Sequence, residues 1–68
     1  MTRTPVKSSN VVSIGHDPTS ERLQVEFANG VYEFKGVSAE QHARLMAADS
    51  KGSHFHEFIK GKFSSRKL

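Results

Sequence analysis

Leu23–Lys35, reading LQVEFANGVYEFK, decides the fold of this 68-residue chain. Leu23, Val25 and Phe27 alternate with Arg22, Gln24 and Glu26, the period of a strand with one buried face. Asn29-Gly30 then supplies two residues that tolerate positive φ, the usual requirement of a two-residue hairpin turn. With that pair as the loop, Ala28 faces Val31, Phe27 faces Tyr32 and Val25 faces Phe34, so the apolar sets of both strands fall on one side. The opposite side then carries Glu26 across from Glu33, a like-charge pair that repels phosphate.

Working outward, Asn10–His16 (NVVSIGH) reads as a preceding strand with Val12, Ile14 and His16 inward. Asp17-Pro18-Thr19-Ser20 is a turn: an aspartate can bond to the backbone two residues on, and proline presets φ. After Val37 the period becomes helical. Ser38 with Gln41 three residues later forms a capping box opening a helix through Ala48, with His42, Leu45 and Met46 as packing positions. Ser50-Lys51-Gly52-Ser53 ends that helix and caps a second, in which Phe55, Phe58, Ile59 and Phe63 share a face. Gly61 suits its C-terminal cap. The expected architecture is α+β, a three-stranded antiparallel meander with two short C-terminal helices packed on one face. Residues 1–9 read as a flexible lead, 10–63 as a single domain and 64–68 as a basic tail.

Composition limits the function. There is no cysteine, which excludes disulfides and thiolate metal sites and fits a reducing cytoplasm. No apolar stretch is long enough to cross a membrane, residues 1–10 lack a secretion signal's apolar segment, and the mean hydropathy is -0.53. A cytoplasmic location is expected. With 35% hydrophobic residues the core is thin, so a homodimer is a reasonable way to bury more surface. The net charge of +3 is concentrated: from Ser50 onward Lys51, Lys60, Lys62, Arg66 and Lys67 face Glu57 alone.

As a whole the string resembles the small bacterial KTSC family, named after the C-terminus of some lysyl-tRNA synthetases. The similarity runs from about Val6 to Phe63, through VKSSNVVSIGHD, LQVEFANGVYEF, a Gly-Val step into a helix, and ADSKGSHFHEFIKGKF. Tyr32-Glu33-Phe34 matches the family's central aromatic-x-aromatic motif, with Phe34 where a second tyrosine is usual. Ser8-Ser9, Ser50-Lys51-Gly52 and Ile59-Lys60 match its other marks. His16 and Phe63 stand where the family often has tyrosine, and each removes a hydroxyl that a ligand could have met. The resemblance implies an RNA-binding accessory role.

Tyr32 and Phe34 could form a base-stacking platform, but the hairpin register turns them toward the helices and favours a core role. The second helix and its flanks are the better surface. Lys51, Lys60, Lys62, Arg66 and Lys67 are the candidate nucleic-acid contacts, with free N–H groups after Ser50 and with Lys7, Ser8 and Ser9 beside them. His54 and His56 lie two apart on a helix and so diverge by about 200°, wrong for one metal ion unless His16 or His42 joins them. His16–Asp17 and Ser53–His56 are sequence neighbours without an oxyanion site, and the chain has little room for a water-excluding cleft. The sequence therefore describes a small non-enzymatic binding module, without metal or cofactor and with RNA favoured over DNA. The alternative is a protein-protein interaction or homo-oligomerisation module using the exposed edge of its first or third strand.

Overall fold

The computed structural model describes residues 2–8 and 10–68. Its elements are β1 (Thr4–Pro5), β2 (Val11–Asp17), β3 (Arg22–Phe27), β4 (Gly30–Lys35), α1 (Ala39–Ala47), α2 (Lys51–Phe58) and β5 (Ser65–Lys67). The fold class is α+β, but the sheet has five antiparallel strands in chain order rather than three. Two segments read as a flexible lead and a tail supply the outer strands: Thr4 and Pro5 pair with Ile14 and Ser13, while Ser65, Arg66 and Lys67 pair with Phe34, Glu33 and Tyr32. Both are too short to show a period, and both are specified by pairing across the chain. Met1 and Ser9 lie outside the described residues, so this part of the expected lead and of the Ser8-Ser9 match is not placed.

The central hairpin keeps its predicted faces but not its predicted register. Phe27 pairs with Gly30, Val25 with Tyr32 and Leu23 with Phe34, so Ala28-Asn29 is the loop. Neither loop residue has positive φ; Gly30 alone carries it, at 141°. The slip is two residues, and because side chains alternate with period two the apolar set stays together. The expected Glu26–Glu33 pair does not form. Glu26 sits opposite Val31 and accepts a 2.8 Å bond from the Ser13 hydroxyl. In β2 an irregularity between Val11 and Ser13 turns Val11 and Ile14 inward and leaves Val12 47% exposed, correcting the expected inner position of Val12.

The turn between β2 and β3 follows its sequence chemistry. Asp17 accepts from the Thr19 N–H at 3.0 Å, and bonds from the Ser20 hydroxyl and the Thr19 N–H hold its carboxyl below the usual range. Glu21 leaves this turn at a φ of 55°, a conformation rare outside glycine. Its carbonyl accepts from both Gly36 and Val37 N–H at 2.9 Å, which ties the approach to α1 to the turn.

Helix α1 opens on the predicted Ser38–Gln41 capping box, and Ser50 caps α2 through the Ser53 N–H. Both helices cover the same sheet face. Leu45, Phe55 and Ile59 close over Val11, Ile14, Leu23, Val25, Phe34 and Val37, all at or below 7% exposure. Phe58 does not join them. It is 52% exposed and rests on His54 at a ring separation of 4.6 Å. Because α2 ends at Phe58 and the chain turns in at Ile59, the buried side centres on Phe55 and Ile59, with Phe58 about 100° from Ile59 around the helix.

At the other end of the helical layer, His42 of α1 stacks on His16 of β2 with centroids 4.7 Å apart and planes 14° from parallel. A His16 ring nitrogen lies 2.7 Å from the Val37 carbonyl oxygen. Burial first, and then the neighbouring His16, push the His42 imidazole below its ordinary value of 6.5. The unfolded chain therefore takes up the His42 proton at a higher pH than the folded one, so stability falls as the pH drops from 6.5 toward the lowered folded value. Urea midpoints measured between about pH 7.5 and 5 should decline across this window. His42→Phe, which keeps a ring over His16, should flatten the decline; an unchanged slope would assign it to other groups.

The uncovered sheet face carries one ordered polar row. Gly15, Gln24, Glu33 and Arg66 are successive register partners from β2 to β5. Arg3 passes over Gly15, where a Cβ would lie 2.9 Å from the Arg3 Cγ. It donates to Gln24 Oε1 at 2.9 Å, and Gln24 donates to Glu33 Oε2 at 3.2 Å. The other Glu33 oxygen has Arg66 at 3.4 Å and Arg22 at 4.0 Å, neither in hydrogen-bonding alignment. Glu33 is thus a buried carboxylate, 6% exposed in its side chain, compensated by guanidiniums at the sheet margin.

Candidate functional site

The helices do not cover the sheet evenly. Between α2 and the β3–β4 hairpin lies an open cleft of about 550 Å³, within the size range of small-ligand sites. Its floor is aromatic. Phe55 meets Phe27 and Phe34 edge-to-face at 5.1 and 5.2 Å, and Phe27 meets Tyr32 in the same way at 5.7 Å. Such pairs fix one another's orientation. Phe34 is buried in the core, in keeping with the register argument. Tyr32 is only half-buried and faces the cleft, so the expectation that both rings would be shielded holds for one of them.

The rim is polar. Asn10, before β2, and Asn29, at the hairpin tip, supply amides; His56 comes from α2, and Lys60 and Gly61 from the turn after it. Asn29 Nδ2 donates to the Tyr32 hydroxyl at 3.4 Å. Lys67, the register partner of Tyr32, holds its ammonium 6.0 Å from that ring's centroid. It reaches there by crossing Gly30, where a Cβ would sit 2.8 Å from Lys67 Cε, so the glycine meets both the positive φ and the close approach. Gly61, at a φ of 78°, has nothing within 4 Å of its missing Cβ and leaves the rim open. Among the described residues that line the cleft, none is acidic.

The five basic residues singled out from the sequence do not form one surface. Lys60 and Lys67 flank the cleft. Lys51 turns back to donate to the Ala48 carbonyl at 3.3 Å across the interhelical joint. Arg66 serves Glu33 on the other sheet face. Lys62 is exposed in the turn after α2, its N–H bonded to the Ile59 carbonyl at 3.0 Å. Ser8 is engaged locally, accepting from the Asn10 and Val11 N–H groups at 3.4 Å each. Sequence reasoning missed Asn10 and Asn29 as rim residues, together with the opening itself. In the sequence Asn29 signals only turn chemistry, and Asn10 carries no local signal because it reaches the site only through packing against Gly52, whose Cβ would lie 3.4 Å from the Asn10 side-chain nitrogen. Among the described residues no group of three or more histidine, cysteine or carboxylate side chains converges as metal ligands.

A five-stranded antiparallel sheet with two helices on one face, and an aromatic cleft where they part, defines a compact α+β domain class. The KTSC domain profile matches residues 7–63, and the chain belongs to the KTSC domain family. It superposes with a TM-score of 0.96 on the crystal structure of a KTSC domain protein from Yersinia pestis, 44% identical, covering 98% of this chain and 96% of that one. It is 39% identical to an uncharacterized protein of Stutzerimonas stutzeri over 61 residues, 88% of this chain and 86% of the relative. It is also 36% identical over 63 residues to a lysine–tRNA ligase of Nostoc sp., a match spanning 91% of this chain but 11% of the ligase. No helix among the described residues is long and apolar enough to cross a membrane.

Proposed function

We propose that this domain is a non-enzymatic RNA-binding module of the cytoplasm, and that its contact surface is the aromatic cleft with Lys60 and Lys67 rather than the whole basic C-terminal region. The observation that carries this reading is the coincidence of an aromatic floor, one lysine (Lys60) and two amides in a cleft with no acidic lining residue, with the Lys67 ammonium beside it 6.0 Å from the Tyr32 ring. Planar rings favour flat ligands, and the charge balance favours anionic ones. The similarity to lysine–tRNA ligases, proteins that act on tRNA, favours RNA as the nucleic acid.

Binding through two or three phosphate contacts should depend on salt. Raising the salt from about 50 to 200 mM should weaken binding of a labelled tRNA or RNA strand roughly ten-fold, with a log–log slope near −1.4 to −2. Fluorescence anisotropy reads this directly. A flat response, or no binding at low salt, removes the proposal.

The rival reading, self-association, is supported by the outer edges of β1 and β5, which pair with nothing among the described residues. That edge differs from the one expected, because β5 covers the third strand of the meander and β1 the first. Sedimentation in high salt separates the two readings: a dimer that persists there with no RNA binding selects the second.

A further inference from the structure

We infer that the cleft is a pocket for one unpaired nucleotide, its base lying against Tyr32 and its adjoining phosphates met by Lys60 and Lys67; this rests on the RNA-binding reading and narrows it to single strands. A concavity of about 550 Å³ accepts a nucleotide and has no room for a helical duplex. Duplex RNA also keeps its base faces stacked inside, leaving a recessed aromatic floor nothing to stack on.

The rings divide the work. Phe55 meets both Phe27 and Phe34 edge-to-face, and the three form one wall. Tyr32, edge-to-face on the likewise half-buried Phe27, is the ring with a charged group over it: the Lys67 ammonium lies 6.0 Å from its centroid. An arriving base takes the place of that ammonium over the ring, and the ammonium moves to the phosphate beside the base. Glycine at position 30 leaves the lysine stem the space to do so, since any side chain there would meet Lys67 Cε at 2.8 Å.

The amides of Asn10 and Asn29 each offer both a donor and an acceptor at the rim, the chemistry that base edges require. Their pairing ability is not restricted to one base. The pocket is therefore selective for an unpaired strand and tolerant of its sequence.

The test uses the whole 68-residue protein with four probes: a short single-stranded RNA, the same strand annealed to its complement, adenosine monophosphate, and ribose 5-phosphate. The single strand should bind about ten-fold tighter than the duplex, and Tyr32→Leu should weaken single-strand binding by about five-fold or more, so that the preference over duplex narrows by the same factor. In NMR spectra of the unaltered protein, adenosine monophosphate should shift the Tyr32 ring and Asn29 side-chain signals, and ribose 5-phosphate should not. That readout stands even where Tyr32→Leu unfolds. Equal affinity for duplex and single strand, or Tyr32 signals unmoved by the mononucleotide, would overturn the nucleotide pocket while RNA binding itself survived. No binding of either RNA form would remove both. Cleft signals moved by the acetylated tripeptide Glu-Phe-Glu and not by adenosine monophosphate would reassign the pocket to peptide.

Discussion

Phe55→Ala should unfold the domain or leave it barely folded. Phe55 is 7% exposed and is the one α2 ring that touches both Phe27 and Phe34, so truncation removes two edge-to-face contacts and opens a void between helix and sheet. Phenylalanine-to-alanine changes in cores cost about 3–5 kcal/mol, against a total stability of roughly 3–10 kcal/mol for a chain of this length. The cost is comparable to the whole margin. Phe58→Ala, three residues on, should cost about 1 kcal/mol or less, because the ring is 52% exposed and stands outside the core. Urea denaturation of the two variants measures the contrast. Similar losses at both positions would mean that the helix packs on a different side.

Reversing Lys60 and Lys67 together should weaken RNA binding by roughly 25-fold at about 0.1 M salt, since each phosphate contact to a single strand is worth about 0.7 of a decade there. The salt slope should become shallower by about 1.4. Two basic residues elsewhere on the molecule form the control. Lys51 is spent on the Ala48 carbonyl and Arg44 on the Glu40 carboxylate, so Lys51→Glu with Arg44→Glu makes the same change in net charge away from the cleft. That variant should lose only the long-range part of the attraction, about two- to three-fold. An equal loss in both double variants would show that net charge, not the cleft, drives association.

Local chemistry explains why much of the fold was readable. The Ser38–Gln41 box, the Ser50 cap and the Asp17 turn each use a side chain that bonds backbone within three residues. The hairpin faces were readable because period-two alternation survives a two-residue slip. The loop position was not: Asn29-Gly30 satisfies a type I′ turn on paper, yet Gly30 takes its positive φ inside β4, where Lys67 also needs its missing side chain. The outer strands were unreadable for a different reason. Thr4–Pro5 and Ser65–Lys67 have no periodicity, and their pairing depends on partners eight to thirty-five residues away.

The candidate site was legible only in pieces. Lys60 and Lys67 were identified by charge, and Tyr32 by its motif. Their convergence depends on β5 running back along β4, a non-local event. The same pairing carries Arg66, the neighbour of Lys67, to the opposite face. A continuous basic tail thus becomes two surfaces with different duties.

The polar row across the uncovered face bears on where this domain can be cut. The family match spans residues 7–63, whereas Arg3 and Arg66, at the two ends of the row, fall outside it. A fragment trimmed to the matched segment would bare the flanks of β2 and β4 and strand the Glu33 carboxylate without Arg66. Two open hydrogen-bonding templates would then face any neighbouring chain. For this molecule, the borders suggested by family likeness run inside the borders set by its physics.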